Sequence, residues 1–194
     1  MNKIKEFLKN ITKETWIRII IYVSIVLGGF ALDRISKVLV ANNLELDKFY
    51  QIELIPNFLY FAYVVNTGGA WSILSNATWL LAIISVAAVV GITYYLFTKK
   101  PNLHYFIAMS FIVSGGAGNL FDRIFYGSVI DFIETYPLGY SFPIFNVADI
   151  FVVCGAFYLI IYMLFEEHLN KSEAQKKILT VQELRKKDDE GCKK

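Results

Sequence analysis

Four stretches of this chain run about Ile17 to Val40, Ala77 to Thr98, Asn102 to Phe121 and Val147 to Phe165. Each approaches the roughly 20 apolar residues that a hydrocarbon core about 30 Å thick demands of a helix. An ordinary soluble domain does not carry that pattern, and composition agrees: 56% of the 194 residues are hydrophobic and 16% aromatic. The spacing predicts a mainly α membrane protein, a four-transmembrane-helix bundle forming one domain over residues 1–166 and followed by a charged tail over 167–194. No internal repeat is evident, which weakens an inverted-repeat transporter reading.

Orientation follows from Lys and Arg, because cytoplasmic segments retain positive charge. Lys3, Lys5, Lys9, Lys13 and Arg18 precede the first span, Lys99 and Lys100 follow the second, and Lys171, Lys176, Lys177 and Arg185 lead a basic run in the tail. The segment from Ala41 to Asn76 holds only Lys48, and that from Asp122 to Asn146 only Arg123. Both termini are therefore expected in the cytoplasm, with those two segments outside. The net charge of +2 gives no case for nucleic acid. The basic start and apolar run imitate a signal peptide, but no small-residue cleavage site follows, so the first span is read as uncleaved. Cys154 lies mid-span and Cys192 in the tail, so no outward disulfide is expected and neither thiol is expected to reach an outer site.

The outward segment over about 44–65 predicts a small extracytoplasmic β-sheet. Two strands, Phe49 to Ile55 and Phe58 to Val65, would meet at the Pro56-Asn57 turn. An interfacial loop anchored by aromatics is the alternative. A short loop or helix is expected in the second outward connection.

Charged residues beside lipid are costly to place and point to function. Asp33 and Lys37, at i and i+4, share a helix face and read as an internal ion pair, whereas Arg34 points elsewhere and snorkels. The third span ends Ser114-Gly115-Gly116-Ala117-Gly118-Asn119-Leu120-Phe121-Asp122-Arg123. Its small residues let a neighbour approach closely, and Gly115, Asn119 and Asp122 fall on one face, with Arg123 able to neutralise a nearby carboxylate. Asn146 reads as an N-cap and Asp149 as an acid in the first turn of the last span. Asp122, Asp131 and Asp149 converge on the outer side, and spacing alone leaves Asp122 as good a candidate as Asp131.

Two carboxylates that meet share a proton and activate water, which is peptide-hydrolysis chemistry. His104 and His168 fall on the cytoplasmic side, which disfavours a Ser-His-Asp triad or a His-ligated zinc site, and a Ser-Lys pair using Lys37 lacks a marked serine. A small proton-coupled transporter is the rival from another class. It would want acids spread across the bilayer.

Five motifs in order resemble the prolipoprotein signal peptidases, the signal peptidase II family. They are Asp33-Arg34-Ile35-Ser36-Lys37, Asn66-Thr67-Gly68-Gly69-Ala70-Trp71-Ser72, Gly115 through Arg123, Val129-Ile130-Asp131-Phe132, and Phe145-Asn146-Val147-Ala148-Asp149. The resemblance implies a membrane aspartic endopeptidase that removes the signal peptide from lipid-modified prolipoproteins, cutting just before the diacylglyceryl-cysteine. It places Asp131 and Asp149 as the catalytic pair, Asn66, Asn119, Arg123 and Asn146 as lining or substrate-holding residues, and Gly116 and Ala148 as substrate-binding or supporting residues. Asp122 becomes a supporting residue beside Arg123, with Asp33 and Lys37 as a structural polar pair. It further implies a monomer in the bacterial cytoplasmic membrane whose site faces outward, in contact with lipid, needing no metal or organic cofactor, and a target for cyclic-peptide antibiotics. Gly69 and Trp71 stand where the family more often has Ala and Phe.

Overall fold

The computed structural model describes residues 12–69 and 77–168. Ala70, Trp71 and Ser72, most of the basic leader, the tail from 169 and Cys192 lie outside the described residues. Helix α1 spans Lys13–Asn43 and begins where the Thr12 hydroxyl accepts a hydrogen bond from the Thr15 N–H at 3.2 Å. Strands β1 (Lys48–Ile55) and β2 (Leu59–Asn66) follow, then α2 (Thr78–Lys99) and α3 (Leu103–Tyr126). Strand β3 (Val129–Thr135), a 3-10 turn at Pro137–Gly139 and α4 (Val147–His168) complete the chain. Chain contacts divide within α4, giving one unit to Ala156 and a second from Phe157. The first holds every residue discussed below.

Helices α1, α2 and α4 are long and apolar enough to cross a membrane. α3 differs from the expectation of four comparably apolar spans. Its 24 residues reach about 36 Å, ample for a bilayer. Its polarity has an internal cause: Ser110, Ser114, Asn119 and Asp122 are all buried, facing neighbouring helices instead of lipid. α3 is therefore the central helix, packed on α1 and α2.

Glycines set how closely the others approach it. A methyl on Gly115 would overlap the Ala148 carbonyl, and one on Gly118 would stand 2.7 Å from Asp33 Oδ2. Such small-residue seams are how helices without a hydrophobic drive between them come into contact. Gly127, at φ +70°, ends α3 in the left-handed conformation that glycine tolerates, and turns the chain straight into β3.

β3 is the element that sequence reading missed. The sheet has three antiparallel strands in the order β1-β2-β3, not two, with Val64 opposite Asp131 and Asn66 opposite Val129. Phe145 then bridges to Ile133 through two hydrogen bonds of 2.8 and 3.1 Å. That bridge fixes the start of α4 beside β3.

Candidate active site

Asp131 sits on β3 and Asp149 in the first turn of α4. Asn146 links them. Its Oδ1 accepts from the Asp149 N–H at 3.0 Å while Asp149 Oδ2 accepts from the Asn146 N–H at 3.1 Å, a reciprocal cap that satisfies the exposed donors of a helix start. The Asn146 amide Nδ2 meanwhile donates to Asp131 Oδ1 at 2.7 Å and to Asn119 Oδ1 at 3.1 Å. The capping role and the site role are thus held by one side chain, and the two readings of Asn146 are not alternatives.

Asn119, from α3, donates to Asp149 Oδ1 at 2.8 Å, and Asn66, at the end of β2, donates to Asp131 Oδ2 at 2.8 Å. Each carboxylate oxygen is held by an amide or backbone donor, and each keeps further acceptor capacity. Burial is the main influence on Asp131. With the Asp149 charge it pushes that carboxyl up to about 6, against the opposing pull of Asn66, Asn146 and Lys37.

Behind the pair lies a buried ionic cluster. Lys37, 1% exposed, donates to Asp33 Oδ2 at 2.9 Å, Asp122 Oδ2 at 2.7 Å and Asn119 Oδ1 at 3.1 Å. An ammonium has three donors and no acceptor, so Lys37 is fully engaged and is no base for a serine. Asp33 Oδ1 also accepts from the Ala148 N–H at 3.0 Å, tying α1 to the start of α4.

Three sequence expectations change here. Asp122 does not pair with Arg123: neighbours on a helix point about 100° apart, and Asp122 faces α1, where Arg34 reaches it at 2.5 Å. Arg34 does not snorkel outward; it folds back onto Asp122 and Asp33, with its guanidinium over the Phe121 ring at 5.1 Å. Gly116 packs toward α2, where an added methyl would meet Val89 at 3.3 Å, and does not wall the cavity that holds the two aspartates. Arg123 turns the other way, donating to the Gly68 carbonyl at 3.3 Å and the Asn119 carbonyl at 3.4 Å. Its buried Nε has no partner among the described residues.

Both aspartates line a cavity of about 470 Å³ with Asn119 and Arg123, walled by Ile150, Val153 and Cys154 of α4. Cys154 therefore lines the same cavity as the pair, against the expectation that no thiol reaches it. Five residues of helix below Asp149 amount to only about 7.5 Å. Sequence reading also passed over Glu134, Tyr136 and the Phe142–Ile144 loop, all lining a second cavity beside Asp131. A second acid directly after Val129-Ile130-Asp131-Phe132-Ile133 is the signal available for Glu134. Among the described residues no cluster of three His, Cys, Asp or Glu is arranged to hold a metal.

A family model for signal peptidase (SPase) II matches residues 25–165. A lipoprotein signal peptidase of Clostridium novyi (strain NT) is 42% identical over 146 residues, covering 74% of this chain and 97% of its own. One from Listeria monocytogenes serotype 4a (strain HCC23) is 38% identical over 152 residues, covering 77% and 97%. Among solved structures, a bacterial membrane enzyme determined by the in meso method at 2.3 Å resolution is 32% identical with a TM-score of 0.70, over 75% of this chain and 88% of that one.

Proposed function

The chain belongs to the signal peptidase II family, and from that premise we propose that it is an aspartic endopeptidase whose Asp131 and Asp149 activate water. It is a membrane peptidase that processes prolipoprotein signal peptides. The observation carrying the aspartic reading is that Asn146 holds both carboxylates at the wall of one apolar cavity.

Two nearby carboxylates do not both ionise easily, so one holds a proton. The ionised one takes a proton from water, whose oxygen adds to the scissile carbonyl carbon, while the neutral one hydrogen-bonds the carbonyl oxygen. The C–N bond then breaks. The signal peptide leaves with a new carboxylate, and the amine of the diacylglyceryl-cysteine takes the proton. Arg123, which lines the cavity beside the pair, would hold a substrate carbonyl, and the α4 wall suits acyl chains. The cut falls just before the modified cysteine, and cyclic-peptide antibiotics would compete for the same cavity. The protein works as a monomer in the bacterial cytoplasmic membrane. It crosses four times with both termini inside, placing sheet and dyad outside.

With Cys154 and Cys192 first replaced by alanine, cysteines introduced at Lys48 and Gly139 should react in intact cells with an impermeant thiol reagent, and one at Lys100 should not. The reverse pattern overturns the orientation. Native Cys154 gives a separate check on the cavity. A bulky maleimide should slow lipopeptide cleavage severalfold or more in the wild-type protein and leave Cys154→Ala unaffected, with labelling followed by intact mass. Equal inhibition of both would remove Cys154 from the substrate's path.

A further inference from the structure

Two cavities open from Asp131, and they differ in their walls. The larger is closed by α4 residues that face lipid. The smaller, about 390 Å³, is built entirely from sheet and loop residues, among them Val64, Thr67, Glu134, Tyr136 and Ser141. They share Asn66, Asp131 and the Phe142–Ile144 loop. A peptide threaded past Asp131 therefore has one side in each. On the reading above, which this inference rests on, the signal peptide and the acyl chains require the lipid-facing side. The chain beyond the modified cysteine is then left the smaller cavity.

Glu134 supplies that cavity with charge. It is 1% exposed, accepting from the Tyr50 N–H at 3.0 Å and the Tyr136 hydroxyl at 2.6 Å. Both partners are neutral, and among the described residues no lysine, arginine or histidine lies within ion-pair reach of it. A buried carboxylate without a counter-charge is costly, and donors among the described residues fill two of its roughly four lone-pair sites. Its surroundings hold it rigidly. Tyr50 takes a left-handed backbone, φ +52°, to present its N–H, and its ring stacks on Tyr136 at 5.4 Å.

We propose that the smaller cavity is the subsite for the one or two residues following the lipid-modified cysteine, and that Glu134 selects there for cationic or hydrogen-bond-donating side chains and against acidic ones. Like charge brought against a desolvated carboxylate is strongly disfavoured, whereas a lysine or arginine supplies the missing counter-charge.

The test uses the purified full-length protein in detergent. Its substrates are four synthetic diacylglyceryl prolipopeptides carrying Lys, Gln, Ser or Glu at the two positions after the modified cysteine. The wild-type protein should cleave the Lys peptide with kcat/KM at least about tenfold above the Glu peptide, with Gln and Ser between, and the gap should largely survive high salt, which screens buried charges little. Glu134→Gln should bring all four within about threefold of one another, since the amide keeps an acceptor for the Tyr50 N–H but loses the charge. Equal wild-type rates for the four peptides overturn the subsite without needing any variant and leave the dyad standing. A preference that persists in Glu134→Gln also overturns it. Failure to cleave any of them overturns the proposed function and the subsite together.

Discussion

Asparagine at Asp131 or at Asp149 should lower cleavage of a lipid-modified prolipopeptide by about a thousandfold or more, the scale at which positioned acids and bases act, with the protein still folded and inserted. The substitution keeps shape and removes a proton-transfer role. At Asp131 both oxygens accept amide donors, so an asparagine there must turn its NH₂ toward either Asn66 or Asn146. That costs about 1 kcal/mol of hydrogen bonding, offset by the buried charge no longer present. Circular dichroism and detergent-resistant folding should therefore change little while turnover collapses. The pH profile should be bell-shaped, its limbs belonging to the pair jointly. A carboxyl raised to about 6 holds the shared proton through mildly acid pH and loses it as pH climbs beyond that value, giving the alkaline limb. Protonation of the base gives the acid limb. The same shift has a stability consequence of opposite sense to an ordinary salt-bridged acid. Because the folded value lies above the unfolded one, Asp131's favourable contribution is complete below about 4 and is lost as pH rises through about 6.

The second large effect concerns stability. Lys37→Met should lower folding free energy by roughly 3–5 kcal/mol, the range for breaking a buried ionic cluster by removing one partner. Asp33 and Asp122, 1% and 0% exposed, would then face each other with only Arg34 to neutralise them. Thermal unfolding in detergent and yield of inserted protein are the readouts. Adding Asp122→Asn to Lys37→Met should recover part of the loss, because it removes a stranded charge. Asp122→Asn alone should lower stability at least as much as turnover, through Lys37 and Arg34. If it stays stable and becomes inactive, Asp122 acts on substrate after all.

Much of this was legible because it depends on local pattern. Apolar length located the helices, i and i+4 spacing paired Asp33 with Lys37, and Pro56-Asn57 marked the turn between β1 and β2. The convergence of Asp131 and Asp149 followed from where the last two helices leave and re-enter the outer face. What stayed hidden depends on partners far along the chain. β3 is made a strand by pairing with β2 more than 60 residues earlier (Asn66 with Val129, Val64 with Asp131), and its burial on both faces erases the alternation that marks a half-exposed strand. Sequence shows the adjacency of Asp122 and Arg123, whereas the helix separates those two and α1 supplies the cations that pair with Asp122, Arg34 and Lys37. Gly116 sat inside a motif, yet only the packing of α2 shows which glycine faces which helix. Glu134 carries no mark in the sequence because the cavity it lines is enclosed by no single segment.

On the proposed mechanism Asp131 and Asp149 together hydrolyse one bond, just before a diacylglyceryl-cysteine, without a metal. The most direct measurement incubates purified protein, exhaustively chelated, with a synthetic diacylglyceryl prolipopeptide and reads the products by mass spectrometry. Wild-type protein should release a signal peptide ending immediately before the modified cysteine, at the same rate with and without chelator, and neither Asp131→Asn nor Asp149→Asn should release any. Activity lost to chelation and restored by zinc, or near-normal turnover in either variant, would contradict it.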